Sequence, residues 1–439
     1  MTVRQRLLTS IALLALVCAG HAEDPAAAPE HPPMSAAERA TPLKQAFEKQ
    51  FQIGTALNRS MTTGVAFRRS SEDVEKDIQN VQRHFNHVVA ENDMKWQLIH
   101  PRPGADGYDF EPADAFVEFG TTNGMSIAGH TLVWHSQTPN WVFEGTHVAV
   151  VEPKDPTSDA EAEPAQRNDA SNTTTPAQPN LTVAADRPRR PGGFRGFDLN
   201  GPRASREELL ERMREHIHTV VGRYKGQVRV WDVVNEAIAD EGPDVLRRSP
   251  WSVIIGPDFV ARAFEYAHEA DPDAVLRYND YGLENPAKRR KLIALIKSLQ
   301  EQNVPVMAIG SQAHCNVSTT FEDMDQALAE MATLGLPIHI TELDVNSAVW
   351  GQRGTGADIE ANQQATDGGL VSDADLQLAR AYEGLFRAFV KHHESIEVVT
   401  FWGVNDAVSW RSRGRPLLFD GNNEPKPAFD FVVRVAQGQ

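Results

Sequence analysis

Two cysteines in 439 residues are too few for a fold stapled by a disulfide framework. One of them, Cys18, lies in an N-terminal stretch that reads as removable, which would leave Cys315 with no intramolecular partner. Basic residues are also scarce, 43 Lys and Arg against 60 Asp and Glu, for a formal net charge of −17. A balance this acidic argues against nucleic-acid binding through a basic surface and suits a neutral ligand. Long apolar runs are missing too: Leu7–Ala19 is the most apolar segment and is too short to cross a bilayer. There is no His-Glu-x-x-His or Cys/His spacing for zinc, no Gly-x-Ser-x-Gly elbow and no glycine-rich phosphate turn after a first strand. No metal and no cofactor is expected. His84, His87, His216 and His218 read as helix-surface residues rather than ligands. His314 and Cys315, adjacent on a strand, point to opposite faces and make a poor nucleophile–base pair, so Cys315 is read as core filler.

The N-terminus has the pattern of an export signal: Arg4 and Arg6, the apolar Leu7–Ala19, then Gly20-His21-Ala22 with a small residue for cleavage. Cleavage near Ala22 is preferred over lipid anchoring at Cys18, because Val17 is bulky for lipoprotein processing. A secreted or periplasmic location follows. Residues 23–42 read as a Pro/Ala-rich linker and residues 43–439 as one catalytic domain. Within it, a low-complexity stretch over 152–203 holds almost no large apolar residue and cannot bury itself. The glycines at Gly351, Gly354 and Gly356 fall late, in a loop, and are read as plain flexibility.

The remainder alternates short β-branched runs with amphipathic helical stretches. Strands are expected at Ile53–Leu57, His87–Asn92, Ser126–Trp134, Val228–Glu236, Val275–Asp280, Met307–His314, Ile338–Asp344 and Val398–Val404. Helices are expected between and after them, among them Glu72–Phe85, Arg206–Tyr224, Pro286–Gln302 and Asp373–His392. Eight such repeats predict an α/β fold, a parallel sheet closed as a (β/α)8 barrel.

Polar and aromatic residues gather at the C-terminal ends of these runs, which all face one side of a barrel. Two glutamates stand out, because Glu236 and Glu342 each close a largely apolar strand, where a carboxylate is expensive unless it is paired or used. Strands four and seven oppose each other across the barrel mouth, and paired carboxylates are the means of glycosidic cleavage. Trp134, Trp402 and Trp410 offer flat faces for sugar rings, and the nearby Asn, Gln, Lys and His side chains offer hydrogen bonds to hydroxyls.

With these residues assembled, the chain resembles the glycoside hydrolase family 10 endo-β-1,4-xylanases. The resemblance rests on "ENDMKW" (91–96), "GHTLVWHSQTPNW" (129–141), "WDVVNEA" (231–237), "YNDYGLE" (278–284), "SQAH" (311–314), "ITELDV" (340–345) and "TFWGVNDAVSW" (400–410). It implies a retaining mechanism with Glu236 as acid/base and Glu342 as nucleophile, supported by His314 and Asp344. It also implies that Asn235 contacts the sugar 2-hydroxyl and that Glu91, Asn92, Lys95, His130, Trp134, Gln137, Gln312, Trp402 and Trp410 line the glycone subsites. Retention implies carboxyl groups about 5–5.5 Å apart. The stretch at 152–203 departs from the family pattern and leaves the aglycone side open to question. The expected partner is xylan or xylo-oligosaccharide, handled by a monomer. The alternatives are a retaining glycanase acting on β-1,4-glucan and a sugar-binding protein that has lost catalysis.

Overall fold

The computed structural model describes residues 34, 39–67, 69–147, 197, 201–347 and 372–439. The export segment, most of the linker, most of the 152–203 stretch and the late glycines lie outside the described residues. Parallel strands run as β1 (Gln52–Leu57), β2 (His87–Ala90), β3 (Ser126–Trp134), β4 (Val230–Asn235), β5 (Val275–Asp280), β6 (Ala308–Ser311), β7 (His314–Asn316), β8 (Ile338–Asn346) and β9 (Ile396–Phe401). Each pairs with the next from β1 to β6, β6 pairs with β8, β8 with β9, and β9 returns to β1 through Gln52↔Val398. The short β7 pairs only with β8 and prolongs the line of β6 past Gln312-Ala313, so the barrel has eight staves.

Among the described residues, eight helices of ten residues or more clothe the barrel: α1 (Ser71–His84), α2 (Glu111–Thr122), α3 (Arg206–Arg223), α4 (Phe259–Ala270), α5 (Pro286–Glu301), α6 (Phe321–Ala332), α7 (Asp373–Lys391) and α8 (Pro427–Ala436). Their starts are written in the sequence. Ser205 and Glu208 cap α3 reciprocally, Thr320 and Asp323 do the same for α6, and Ser70 and Ser372 cap α1 and α7. Because helices cover the outer face and side chains fill the inner one, β4 is buried at every position, as parallel strands usually are. The main core lies between strands and helices, where Trp231, Trp251, Tyr278, Phe264 and Phe386 are fully buried. Each such side chain contributes about 1.5–3 kcal/mol by leaving water.

The expected (β/α)8 architecture is found, with differences that have physical causes. The sixth strand is broken where Ala313 takes a left-handed φ of 51°, which turns His314 and the residues after it into a second short strand. The second strand stops at Ala90, so Glu91 and Asn92 stand on a turn beyond it. The histidines differ more. His84 and His216 are buried on the inner faces of α1 and α3, His87 is on β2, and His218 is the one left on a helix surface. His216 stacks on Trp96 with ring centroids 3.6 Å apart, so an imidazole serves there as a flat core side chain. Cys315 is buried as core filler. Among the described residues no helix is long and apolar enough to cross a membrane. His147, ahead of the 152–203 stretch, and Arg203, at its end, form an antiparallel bridge.

Candidate active site

The barrel ladder continues one residue past several strands and so fixes the backbone of the polar residues at its mouth. The Glu236 amide donates to the Asn279 carbonyl at 2.9 Å, the Gln312 amide to Asp280 at 2.9 Å, the Glu342 amide to Gln312 at 3.1 Å and the Trp402 amide to Leu343 at 3.0 Å. Each side chain is thus aimed by a strand end.

Glu342, on β8, is 5 % exposed and held on both oxygens. Asn279 Nδ2 donates to Oε1 at 2.8 Å, and His314 Nε2 lies 3.1 Å from Oε2. The other ring nitrogen of His314 is 3.1 Å from Asp344 Oδ2. Asp344, fully buried, also accepts from Trp410 Nε1 at 2.8 Å and from Arg411 at 2.9 Å. Burial opposes charge on all three groups, yet the ion pairing wins. His314 is raised to about 9 by Asp344 and Glu342, and both carboxylates are held below their usual range. Glu342 is therefore a carboxylate at neutral pH.

Glu236 follows Asn235 at the end of β4 and takes a left-handed φ of 57°. A side-chain-bearing residue is strained in that region, and such strain collects where geometry is used. Its Oε2 accepts from Trp134 Nε1 at 2.9 Å, and its Oε1 from Gln312 Nε2 at 3.1 Å and Asn235 Nδ2 at 3.4 Å. Burial, aided by the negative charge of Asp280, raises its pKa against those hydrogen bonds and the positive charge of Arg247. All three neighbours donate N–H groups, so a proton on Glu236 has no acceptor among them. The two glutamates share one polar lattice, since Asn235 Oδ1 accepts from Asn279 at 3.0 Å and from Gln312 at 3.1 Å.

The remaining residues singled out from sequence are distributed around this pair. Lys95 is buried, donates to Asn92 Oδ1 at 3.0 Å, and has its ammonium 5.2 Å from the Trp134 ring centre and 5.9 Å from that of Trp402. Burial lowers its pKa while Glu342, Glu91 and Glu236 draw it back. Gln137 Nε2 reaches Asn92 Oδ1 at 3.4 Å. Glu91 is raised by burial and opposed by Lys95. His130 is buried, its ring 5.4 Å from Trp402. Trp402 is 7 % exposed and packs on the small inner cluster of Ala56, Val89, Ala128 and Val230, with Trp410 partly exposed against it.

Three contributors were not singled out from sequence. Asn279 touches both Glu342 and Asn235, and its signals in sequence were its place at the end of β5 and inside "YNDYGLE". Arg411 pairs with Asp344 from a loop, which sequence spacing does not reveal. Beyond Glu236, Arg247 joins Asp240 and Tyr281 and lies 3.2 Å from His135 Nε2, in a patch supported by Lys288. Among the described residues no cluster of His, Cys, Asp and Glu could hold a metal ion.

An ionised carboxylate and one whose pKa is raised by burial, opposed at the mouth of a barrel and flanked by tryptophans, can cleave a glycosidic bond. Comparison with known proteins agrees. The family model for "Glycosyl hydrolase family 10" matches residues 42–155 and 197–435. A β-1,4-xylanase of Dictyoglomus thermophilum is 34% identical over 400 residues, covering 89% of this chain and 90% of that protein. An endo-1,4-β-xylanase of Geobacillus stearothermophilus is 34% identical over 401 residues, covering 90% and 98%. Among solved structures, a family 10 endoxylanase from a sugarcane soil metagenome superposes with a TM-score of 0.69 at 32% identity, covering 90% of this chain and 99% of that one. An intracellular xylanase of Thermoanaerobacterium saccharolyticum, solved as a variant with xylotriose, gives 0.66 at 33% identity, covering 89% and 97%. With this site, this barrel and these similarities, the chain belongs to glycosyl hydrolase family 10.

Proposed function

We propose that the chain is an endo-β-1,4-xylanase that cuts internal xylosidic bonds with retention of anomeric configuration. The observation that carries the mechanism is the opposite perturbation of two carboxyl groups, one buried and one partly exposed, tied into one hydrogen-bonded lattice: Glu342 is held ionised and Glu236 is biased toward its acid form. Glu342 attacks the anomeric carbon while the Glu236 proton passes to the glycosidic oxygen, and the aglycone leaves. Glu236, now a carboxylate, takes a proton from water, and the water oxygen opens the glycosyl-enzyme to free Glu342. Asn235 spends its oxygen on Asn279 and Gln312 and one N–H on Glu236, which leaves its second N–H to read the sugar 2-hydroxyl. Lys95, Asn92, Gln137, Glu91 and His130 supply the polar wall for glycone hydroxyls, and Trp134, Trp402 and Trp410 the apolar one. The choice of xylan over β-1,4-glucan is supported by the relatives' names.

Digestion of xylan and of carboxymethylcellulose by the wild type, Glu236→Ala and Glu342→Ala tests this reading. Short xylo-oligosaccharides from the wild type alone are expected, with the β-anomer appearing first by NMR. Undiminished activity in either variant would overturn the mechanism, and equal release from cellulose the specificity. Export is part of the proposal and rests on the N-terminal Arg4, Arg6 and Leu7–Ala19 pattern, and a monomeric state is proposed with it. A mature protein beginning near residue 23 and sedimenting as a monomer is the expected result.

A further inference from the structure

The interior of the barrel below the site holds a charged column, of which the proposed chemistry uses only His130 at its upper end. His130, Asp232 and Arg277 are lateral partners on β3, β4 and β5, in the same layer. Each is 1–2 % exposed. Arg277 forks onto Asp232, with Nε 2.7 Å from Oδ1 and one terminal nitrogen 3.0 Å from Oδ2. His130 Nδ1 lies 3.0 Å from the same Oδ2. On its other side Arg277 is 2.9 Å from His339 Nδ1, and His339 Nε2 is 3.0 Å from Glu397, which is 61 % exposed at the far end of the barrel. His87 faces the cluster from β2 and stays neutral, because burial and the Arg277 charge push it down to about 3.

Barrel interiors are usually filled with layers of branched apolar side chains. A buried ion pair is often no more stabilising than apolar residues of the same volume. The column therefore asks for a use beyond stability, and its upper end supplies one. Arg277 keeps Asp232 ionised, and an ionised carboxylate only accepts hydrogen bonds, so the proton between Asp232 and His130 must sit on His130 Nδ1. That fixes the ring plane and leaves Nε2 free at the level of Trp402 and Glu342. His130, when charged, is also among the groups that hold Glu342 down. We propose that Asp232, clamped by Arg277, is a positioning residue that fixes the Nδ1–H form and orientation of His130, so that Nε2 is presented to a glycone hydroxyl beside Glu342. The sugar in this statement rests on the xylanase reading; the state of the ring does not.

The test begins with the ligand-free, full-length wild type. Nitrogen-15 correlation spectra of the imidazoles are expected to show His130 protonated at Nδ1 across the titration; a neutral ring protonated at Nε2 would overturn the proposal. Two variants then separate positioning from mere support. Asp232→Asn keeps the shape but offers too few acceptor sites for Arg277 and His130 together. It is expected to lose the single Nδ1–H form and to lower kcat/KM on xylohexaose by about 100-fold, the scale of an orienting partner's loss. His339→Gln cuts the lower half of the column and is expected to reduce the melting temperature. It should leave the His130 spectrum unchanged and kcat/KM within about 3-fold of wild type, the scale of a lost remote contact. Parallel losses of kcat/KM in both variants, or a folded Asp232→Asn with wild-type kinetics, would refute the positioning role. If Asp232→Asn fails to fold, the wild-type spectrum and His339→Gln still decide. A wild type inert on xylan would instead refute the xylanase reading, with the spectrum still readable.

Discussion

The working residues are set by who touches them, and their titrations can be moved one contact at a time. Removing His314 takes from Glu342 a hydrogen bond and a positive charge, two of the influences that outweigh its burial. His314→Gln is expected to move the acid limb of the kcat/KM profile on a xylo-oligosaccharide upward by about one to three pH units. An unmoved acid limb would show that another group sets it. Glu236 responds in the opposite sense. Burial raises its pKa first and the charge of Asp280 second, so Asp280→Asn is expected to lower it. The alkaline limb, where the acid/base loses its proton, should then shift to lower pH while the acid limb stays. Asn279 was overlooked because a strand-end asparagine is ordinary in sequence; only the closed barrel, in which β6 alone separates β5 from β8, shows that one amide reaches both Glu342 and Asn235.

At the scale of elements, strands deliver the site and helices hold the strands. Gly310 on β6 pairs laterally with Asn279 on β5, and a Cβ at Gly310 would overlap the Asn279 side-chain oxygen. Gly310→Ala is therefore expected to displace Asn279 from both Glu342 and Asn235. A loss of kcat/KM by about 10–100-fold, as for other orienting contacts, should be measured in a protein that still folds. A helix change should act differently. Ser205→Ala removes one half of the α3 capping box and should cost about 1 kcal/mol in denaturant unfolding without altering kinetics. Most element positions were legible in sequence, because hydrophobic period and caps are local. The break of β6 at Ala313 was not, since alanine carries no turn signal and its left-handed φ is imposed by the link between Gln312 and His314. The barrel column shows the reverse case. Asp232, Arg277 and His339 each interrupt an apolar run, a visible signal whose meaning depends on which strands become neighbours.

For the whole molecule, the histidines set a window of stability. His84, His87 and His135 are pushed by burial down to about 3, and His216 well below its usual value. These rings stay neutral in the fold but take protons when unfolded, so the stability they contribute is present above pH 6.5 and is lost as pH falls toward 3. His314 runs the other way: raised to about 9, it contributes fully below pH 6.5 and loses its contribution as pH rises through 9. The melting temperature should therefore peak near pH 6.5 and fall on both sides. A monotonic rise from pH 4 to 9 would contradict these burials. The bridge between His147 and Arg203 leads to a separate expectation: joining the chain across the 152–203 stretch with a short linker should preserve fold and xylan hydrolysis.

By itself the sequence determined the alternation of strands and helices, the barrel class and the two glutamates, because apolar period, capping and a carboxylate ending a buried strand are properties of short segments. The tertiary structure decided the opposite protonation bias of Glu236 and Glu342, the joint hold of Asn279 on both sides of the site, and the burial of histidines that read as surface. Those properties depend on neighbours tens to hundreds of residues away and on the exclusion of water between them, and neither exists until the barrel closes.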